Sequence, residues 1–347
     1  MILELHVWGD KEISIIEPEC IAAAWLLSIH LVPQKVQFKI VKSNNTNLAE
    51  SERLPLLIAP WASSYRKVEG FTDIADYIST QYPLDSTKFV PDGKLTSKDQ
   101  LVNSCLQSYI KKSLHNVHQY NLYVNTKNYE NYTRKLFSRY LPFPMMYNQP
   151  LKFHRDACEQ VKLIGLGNNK TSFFSFGGGD EDDVGDTELV NDDEEESTEV
   201  PISALHEKVL LAKSKDKSLM REARNSFKCI ALFHSYIKHT IKLFEELNPS
   251  SPVEYAHLFK AKKVSSSELL LYAYIYAITF SELPDQSIAE HMKAEFPAFS
   301  TFATTITTAL QGNIKAEHTR EAKGNEVPSL WNEVGSFVGL ISYKEPN

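Results

Sequence analysis

The short run Leu54-Pro55-Leu56-Leu57-Ile58 constrains the first part of the chain more than any other feature. Its apolar stretch is bounded by Pro55 and Pro60 and is too short for a helix, so it predicts a buried strand. Pro55 lacks the N–H that a strand ladder needs, and it therefore marks the first residue of that strand. The Leu-Pro bond is also a candidate for the cis form, because proline lowers the cost of a cis peptide to about 0.5–1 kcal/mol.

The residues on either side of this strand predict a βαβ-ββα module over residues 1–82. Its other predicted elements are a strand alternating at Leu3, Leu5 and Val7, an apolar helix over Cys20–Leu27, a strand alternating at Val36, Phe38 and Ile40, a hairpin strand near Tyr65–Val68 and a helix over Asp73–Ile78. A Leu-Pro strand followed by Gly70 and such a helix resembles the thioredoxin-like half of the glutathione-transferase fold. The fold class that this resemblance implies is an α/β domain followed by an all-α domain, and fold alone does not give function.

The rest of the chain predicts helices, which a proline- and glycine-containing linker at 83–96 separates from the first domain. We expect one C-terminal helical domain built from residues 97–165 and 200–343. Ser265 and Glu268 have the spacing of a capping box, in which the two side chains bond free amides at the start of a helix. They mark the start of a core helix in that domain.

The acidic charge of the chain is concentrated in one stretch. The 347 residues carry a net charge of −7, and Gly177–Glu199 contains about twelve Asp and Glu with no Lys or Arg. Residues 166–199 therefore predict a disordered acidic insertion, which either docks on a basic partner or keeps the chain soluble. The net charge argues against nucleic-acid binding. The longest apolar run, Leu269–Phe280, is shorter than the roughly 20 residues of a membrane-spanning helix.

The residues predict neither a catalytic nor a cofactor-binding site. Cys20 is the only thiol near the first strand, and no partner thiol or base is evident beside it. In the transferases that the fold resembles, an acidic residue and a serine at the start of the second helix hold the γ-glutamyl group of glutathione. This chain has Gly70 and Phe71 there, and Glu69 is one place out of register. An enzyme of glutathione chemistry is therefore disfavoured.

A metal site is not predicted either. The four cysteines lie far apart in sequence, which favours reduced thiols over a metal cluster or disulfides. His115 and His118 could share a helix face, but no carboxylate or thiol stands near them in sequence. We expect two histidines that bond ordinary polar groups or water.

Aromatic, methionine and basic residues cluster in one region and suit binding to another protein better than chemistry. The predicted contact residues there are Tyr123, Tyr129, Tyr132, Arg134, Lys135, Met145, Met146 and Tyr147. A short apolar-faced helix over 330–341 adds Trp331 and Phe337, which could dock on a subunit or on a membrane surface. The alternative to a binding surface is that the aromatic and methionine residues form part of the core, with the basic side chains extending from it to solvent. The last helix would then pack on its own domain.

Five stretches resemble the metaxin family. They are His6–Gly9, Ser43–Leu48, Leu54–Ile58, Leu122–Phe137 and Pro144–Asn148. The third is shared with all transferase-like folds. The tyrosine-rich fourth stretch is the most specific, and with the fifth it is similar to the fungal metaxin-like subunits of the mitochondrial sorting and assembly machinery. The resemblance covers about residues 3–163.

This resemblance implies a non-catalytic subunit, without cofactor, on the cytosolic face of the mitochondrial outer membrane. The implied partners are the membrane β-barrel subunit of the machinery, a second subunit of glutathione-transferase-like fold, the receptor of the outer-membrane translocase, and β-barrel precursors. A chain without a spanning segment matches the peripheral members of the family. Two alternatives stay open: a glutathione-dependent enzyme using Cys20, and a soluble adaptor that recruits a receptor through its acidic insertion.

Overall fold

A five-stranded sheet organises the first domain. The computed structural model describes residues 2–61, 64–84, 88–166, 204–247, 257–259 and 263–337. The strands are β1 (Leu3–Val7), β2 (Phe38–Lys42), β3 (Leu56–Trp61), β4 (Ser64–Glu69) and β5 (Thr319–Glu321), in the order β4-β3-β1-β2-β5. Strand β1 runs parallel to β2 and antiparallel to β3, which pairs antiparallel with β4. With α1 (Pro18–His30) and α2 (Phe71–Gln81), the first four strands confirm the predicted βαβ-ββα module.

The predicted Leu-Pro strand lies inside this sheet. The Leu54-Pro55 bond is cis, as expected, and Pro55 stands directly before β3, one residue outside the strand that it was predicted to begin. Leu56 and Leu57 are fully buried. Leu57 pairs with Leu5 of β1 and with Val68 of β4, so the run forms part of the core.

Strand β5 was not predicted, and it joins the two ends of the chain. Its residues pair in parallel with β2, Ile40 opposite Thr319. The guanidinium of Arg320 donates to the carboxylate of Glu4 at 2.7 Å and to both carboxylate oxygens of Glu326 at 2.7 Å. The C-terminal part therefore covers the β2 edge of the sheet.

The second domain is helical, as predicted. Its helices are α3 (Ser97–Lys112), α4 (Leu114–Gln119), α5 (Thr126–Asn128), α6 (Arg134–Tyr140), α7 (Met145–Lys162), α8 (Ala204–Leu247), α9 (Ser266–Ile278), α10 (Ser287–Glu295), α11 (Pro297–Gln311) and α12 (Leu330–Phe337). Ser113 separates α3 from α4, and π-helical turns occupy Tyr120–Val124 and Tyr129–Thr133. Helix α7 has Pro150 inside it.

The capping box predicted at the start of α9 is present. The amide of Glu268 donates to Ser265 Oγ at 3.3 Å, and the amide of Ser265 donates to Glu268 Oε2 at 2.9 Å. Helix α9 is almost wholly buried and packs against α1 of the first domain. Between the domains, Trp25 Nε1 donates to Gln311 Oε1 at 3.0 Å, so the two domains share one continuous core.

The predicted linker packs in part against the helical domain. Within the linker 83–96, Phe89 is fully buried and the amide of Val90 donates to the carbonyl of Val264 at 3.1 Å, so this part of the linker packs on the helical domain. The predicted acidic insertion, 166–199, lies outside the described residues apart from Leu166, which is buried. Among the described helices, none has the length and apolar character that crossing a bilayer requires.

Candidate functional site

The cleft between the two domains is the place where a glutathione-transferase-like fold would hold a ligand. It has a volume of about 210 Å³ and is lined by the start of α1, the loop before β3, and parts of α4 and α7. Glu17, Arg53, His115, Tyr123 and Lys152 contribute side chains to it. The groups at its edge decide whether glutathione chemistry is supported.

The amide at the start of α2 is occupied by a carboxylate of the protein itself. Gly70 adopts a φ of +75°, which favours glycine, and positions the first turn of the helix. The amide of Phe71 donates to Glu19 Oε2 at 2.8 Å, and Glu19 Oε1 lies 3.1 Å from Lys111 Nζ. A free helix N-terminus readily binds an anionic group, but here Glu19 fills that position. The carboxylate of Glu69 points elsewhere and accepts the amides of Glu50 and Ser51.

Cys20 lies inside the core and not in the cleft. Its side chain is fully buried, and burial, followed by the charge of Glu17, raises the pKa of its thiol well above the ordinary value. Since the thiolate is the nucleophilic form, this environment suppresses the reactivity that a glutathione-dependent enzyme would need.

Glu17 is the most strongly perturbed carboxyl at the cleft. Burial, and then the nearby charge of Glu19, raise its pKa to about 8. It stands at the N-cap position of α1, where a hydrogen bond from the amide of Glu19 opposes this rise in pKa only in part. Glu17 therefore keeps its proton at neutral pH. Perturbed carboxyls occur both in active sites and in structural clusters.

The two histidines weighed as metal ligands bond separate groups. His118 Nε2 donates to the carbonyl of Ile15 at 2.8 Å, and His115 Nδ1 lies 3.0 Å from the hydroxyl of Tyr274. Burial lowers the pKa of His115 to about 4 and that of His118 to about 3. Both imidazoles are therefore neutral. His115 bonds within the helical domain, whereas His118 bonds across to the loop before α1 in the first domain.

One group of metal-ligating side chains occurs within the described residues, and sequence reasoning missed it. Ligand atoms of Glu4, His6 and Glu326 lie within 4.8 Å of one another, and both ring nitrogens of the buried His6 lack a hydrogen-bond partner. However, the guanidinium of Arg320 already bonds both carboxylates. A dication would have to displace this ion pair, so the donor set fits a structural role better than a metal site.

The structure corrects two of the predicted contact residues. Tyr123 and Met145 are buried, and the ring of Tyr123 lies 6.2 Å from that of Phe153. They belong to the core because the π-helical turn and the start of α7 direct their side chains inward. In this structure their side chains pack beneath the predicted contact surface, where they are buried and not available to a partner protein.

The other predicted contact residues of this region reach the surface to different degrees. Tyr129, Tyr132 and Met146 are half-buried, while Arg134, Lys135 and Tyr147 are exposed. The ring of Tyr129 lies 4.6 Å from that of His154. The structure thus brings most of this group to one side of the helical domain.

Two residues that the sequence reasoning passed over complete an apolar stripe on this side. Phe143, Tyr147 and Leu151, called here the α7 stripe, recur at intervals of four residues. Phe143 is 73% exposed, and its ring lies edge-on to Tyr147 at 6.1 Å. The spacing of four is the signal that could have shown it, but Pro142 and Pro144 obscured the start of the helix.

The last described helix, α12, presents a second exposed apolar surface. Trp331 is 84% exposed, and Leu330 and Val334 are also exposed. Phe337 ends the helix, and its side chain lies outside the described part. The helix is capped where the amide of Asn332 donates to Ser329 Oγ at 3.0 Å. Exposed large apolar side chains in a group are typical of an interaction surface.

Comparison with protein families gives two matches that together span most of the chain. The family described as "Outer mitochondrial membrane transport complex protein", Tom37, matches residues 20–154. The Tom37 C-terminal domain family matches residues 180–340.

A curated relative supports the same grouping. The Metaxin-1 homolog of Drosophila melanogaster is 25% identical over 162 residues, which cover 46% of this chain and 45% of the relative. The match thus spans less than half of the relative's length.

Two solved structures are similar in outline. A glutathione S-transferase of Ceriporiopsis subvermispora in complex with glutathione gives a TM-score of 0.48 at 10% identity, covering 89% of this chain and 98% of that chain. FzlA from C. crescentus gives a TM-score of 0.41 at 10% identity, covering 96% of this chain and 98% of its own.

Proposed function

The chain belongs to the Tom37 and metaxin family of outer mitochondrial membrane transport complex proteins, and from this premise we propose that it is a non-catalytic peripheral subunit of the machinery that assembles β-barrel proteins in that membrane. In this role it lies on the cytosolic face. It binds the membrane β-barrel subunit and a second subunit of glutathione-transferase-like fold, and it links the machinery to the receptor of the translocase. The observation that carries the proposal is the family match over both parts of the chain.

The groups around the starts of α1 and α2 support a non-catalytic role. Glu19 occupies the amide of Phe71, and Cys20 is a buried thiol with a raised pKa. The competing enzyme hypothesis predicts retention on glutathione-agarose and a turnover that Cys20→Ala abolishes. Retention of the full chain, eluted by free glutathione, would contradict the proposal.

The exposed apolar surfaces support a role in binding proteins. The α7 stripe and helix α12 both present large apolar side chains to solvent, and basic residues such as Lys152 and Arg155 lie beside the α7 stripe. Aromatic and arginine residues are enriched at interfaces. We assign the subunit contacts to these two surfaces.

The shared core of the two domains supports a mechanism in which the chain acts as a rigid cap. A β-barrel precursor has unpaired strand edges, which aggregate readily. Trp25 is fully buried and bonds Gln311 across the domain junction, so the cap does not rely on a flexible hinge at this point. Such a cap holds the precursor at the assembly site until its remaining strands pair and it is released into the membrane.

Depletion of the chain from mitochondria tests the proposal. We expect newly imported β-barrel precursors to accumulate on the assembly machinery as an unreleased intermediate, visible by native electrophoresis. Outer-membrane proteins anchored by one helix serve as the control and should insert at the normal rate. Normal release of barrels in depleted mitochondria would exclude the proposed role.

The adaptor alternative depends on Gly177–Glu199, which lie outside the described residues. It predicts salt-dependent binding of a basic partner that is lost when this stretch is deleted. This alternative stays a prediction.

A further inference from the structure

Helix α8 carries two apolar faces, one buried and one exposed. One face consists of Cys229, Phe233, Ile237 and Phe244, all buried in the helical domain. At 44 residues and a rise of about 1.5 Å per residue, the helix is about 66 Å long. Its described side chains from residue 219 onward show what lies on the other side.

The other face is an exposed apolar seam, formed by Met220, Ala223, Phe227 and Ala231 and called here the α8 seam. Met220 is 77% exposed and Phe227 is 74% exposed, and both alanines are exposed. At about 100° per residue, the four side chains fall within about 80° of each other on the helix surface, and their mean direction lies about 120° from that of the buried face. The spacing of three and four residues is that of a seam between two packed helices.

A row of basic residues follows this seam along one side. Arg221, Arg224 and Lys228 each stand one residue beyond a seam residue, and Arg224 and Lys228 are exposed. Glu222 points away from the seam and is tied to the domain, because its carboxylate accepts the amide of Thr126 at 3.3 Å. On the side away from the basic row, the exposed Leu219 borders the seam. The seam therefore combines exposed apolar side chains with positive charge on one edge.

We propose that the α8 seam is a docking site for an amphipathic helix of another protein, one that carries acidic residues beside its own apolar stripe. Charge complementarity with Arg221, Arg224 and Lys228 argues for the acidic row, since opposite potentials steer and orient association. This inference rests on the proposed function, since it supplies a partner site to a subunit of a larger complex.

Two other occupants fit the seam less well. A second copy of this chain would place two basic rows in the same interface, where like charges repel. A lipid surface with anionic headgroups would match the basic row, but it favours a face on which large apolar side chains are continuous, whereas Ala223 and Ala231 alternate with Met220 and Phe227. An acidic helix fits both a seam of alternating large and small side chains and its one-sided charge.

Site-specific cross-linking in intact mitochondria tests this inference. The full chain is expressed with Phe227→benzoylphenylalanine, and the cross-linked peptide is identified by mass spectrometry. Leu101, exposed on α3 and outside the seam, carries the same probe in the control. The expected result is an adduct from position 227, and none from position 101, to a segment of another protein with net negative charge and apolar residues at helical spacing.

Charge reversal provides the second measurement. Arg224→Glu, combined with the probe at 227, should lower the yield of the adduct by about fivefold or more, because it opposes the acidic row. Arg139→Glu, an exposed arginine on α6, should leave the yield unchanged. Arg224→Glu without effect would overturn the proposal.

Several outcomes at position 227 would also overturn it: an adduct to lipid, to this chain itself, to a neutral or basic segment, or no adduct at all. Co-purification of the probe-bearing chain with the assembly machinery separates the two failures. If the chain co-purifies and the adduct is absent, only the α8 seam fails. If the chain does not co-purify, the proposed function itself fails.

Discussion

Two carboxylates at the start of α1 stand two residues apart and have opposite roles. Glu19 is paired with Lys111 and with the amide of Phe71. Glu17 has no ion-pair partner at such a distance, and burial together with the charge of Glu19 raises its pKa to about 8. At neutral pH Glu17 therefore holds a proton at the cleft, whereas Glu19 ties α1 to α2 and α3.

The raised pKa of Glu17 predicts a pH dependence of stability. Its pKa rises from the ordinary value of 4.5 to about 8 in the fold, so the folded protein holds a proton that the unfolded chain releases. The contribution to stability is therefore complete below about pH 4.5 and is lost as the pH rises through about 8.

The variant Glu17→Gln removes this titration. We expect its free energy of unfolding to exceed that of the parent at pH 8 and to fall less between pH 5 and 8, with a difference of the order of a few kcal/mol, since one pKa unit corresponds to about 1.4 kcal/mol. Urea denaturation at several pH values measures it, and Glu130→Gln, at an exposed position, serves as the control. Parallel pH profiles for parent and Glu17→Gln would contradict the assignment.

Glu19 gives a second prediction at the residue scale. Glu19→Ala leaves the amide of Phe71 without its acceptor and Lys111 without its ion-pair partner. The loss of a helix cap costs about 0.5–2 kcal/mol, and we expect a destabilisation in that range in urea denaturation at pH 7. The exposed Glu130→Ala should change stability much less. An unaltered midpoint for Glu19→Ala would show that the amide is satisfied in another way.

Single residues were predictable where local chemistry fixes them. Pro55 lacks an N–H, and Ser265 and Glu268 form their capping box within four residues, so all three were found from the sequence. Tyr123 and Met145 were expected at the surface and lie in the core, because their burial is set by the packing of separate helices. A cluster of aromatic and basic residues in the sequence does not distinguish a side chain in the core from one at the surface.

At the scale of elements, β5 shows why some structure escapes sequence reasoning. Its residues Thr319, Arg320 and Glu321 have no apolar alternation, and its partner β2 lies about 280 residues earlier in the chain. What holds it is the ion pair of Arg320 with Glu4 and Glu326, which forms only when the two ends of the chain meet.

The variant Arg320→Met tests how strongly this contact holds the C-terminal part. It leaves two partly buried carboxylates without their cation, and such a loss costs about 3–5 kcal/mol where burial is complete. We expect a decrease in the free energy of unfolding at the low end of that range and faster hydrogen exchange of the amides in β5. Arg139→Met on α6 is the matched control. Unchanged exchange in β5 would contradict the role of Arg320.

The α7 stripe gives an element-scale prediction for binding. The double variant Tyr147→Ala with Leu151→Ala removes two exposed side chains, so folding should be preserved. Truncation of central interface residues typically costs more than 1 kcal/mol each, and we expect recovery of the β-barrel subunit with the tagged chain to fall by about tenfold. Leu101→Ala should leave recovery unchanged. Equal recovery for all three chains would remove the α7 stripe from the interface.

At the scale of the whole molecule, the order of elements was predictable and their mutual placement was not. A βαβ-ββα pattern followed by helices specifies the fold class because each element has its own periodicity. The junction between the domains depends on pairs such as Trp25 with Gln311, far apart in sequence. The surfaces that remain exposed, including the α7 stripe, follow from that packing.

Helix α12 carries the prediction that concerns the whole assembly. Its apolar residues Trp331 and Val334 are exposed, so Trp331→Asp with Val334→Asp should change stability by no more than about 0.5 kcal/mol. In mitochondria we expect less of this variant to remain with the outer membrane after a high-salt wash, because the apolar contact of α12 is lost. A chain with Asp at two exposed polar positions, Thr301 and Thr305 of α11, controls for the added charge.

Vesicles of phosphatidylcholine and cardiolipin identify what α12 contacts. If the parent chain sediments with the vesicles and the α12 variant does not, the helix binds the membrane surface, since exposed tryptophan and valine favour the interface. If neither binds vesicles and only the variant is lost from mitochondria, the helix contacts a subunit. Retention of the variant at the parent's level in mitochondria would show that α12 serves neither contact, and the α7 stripe would then have to account for attachment.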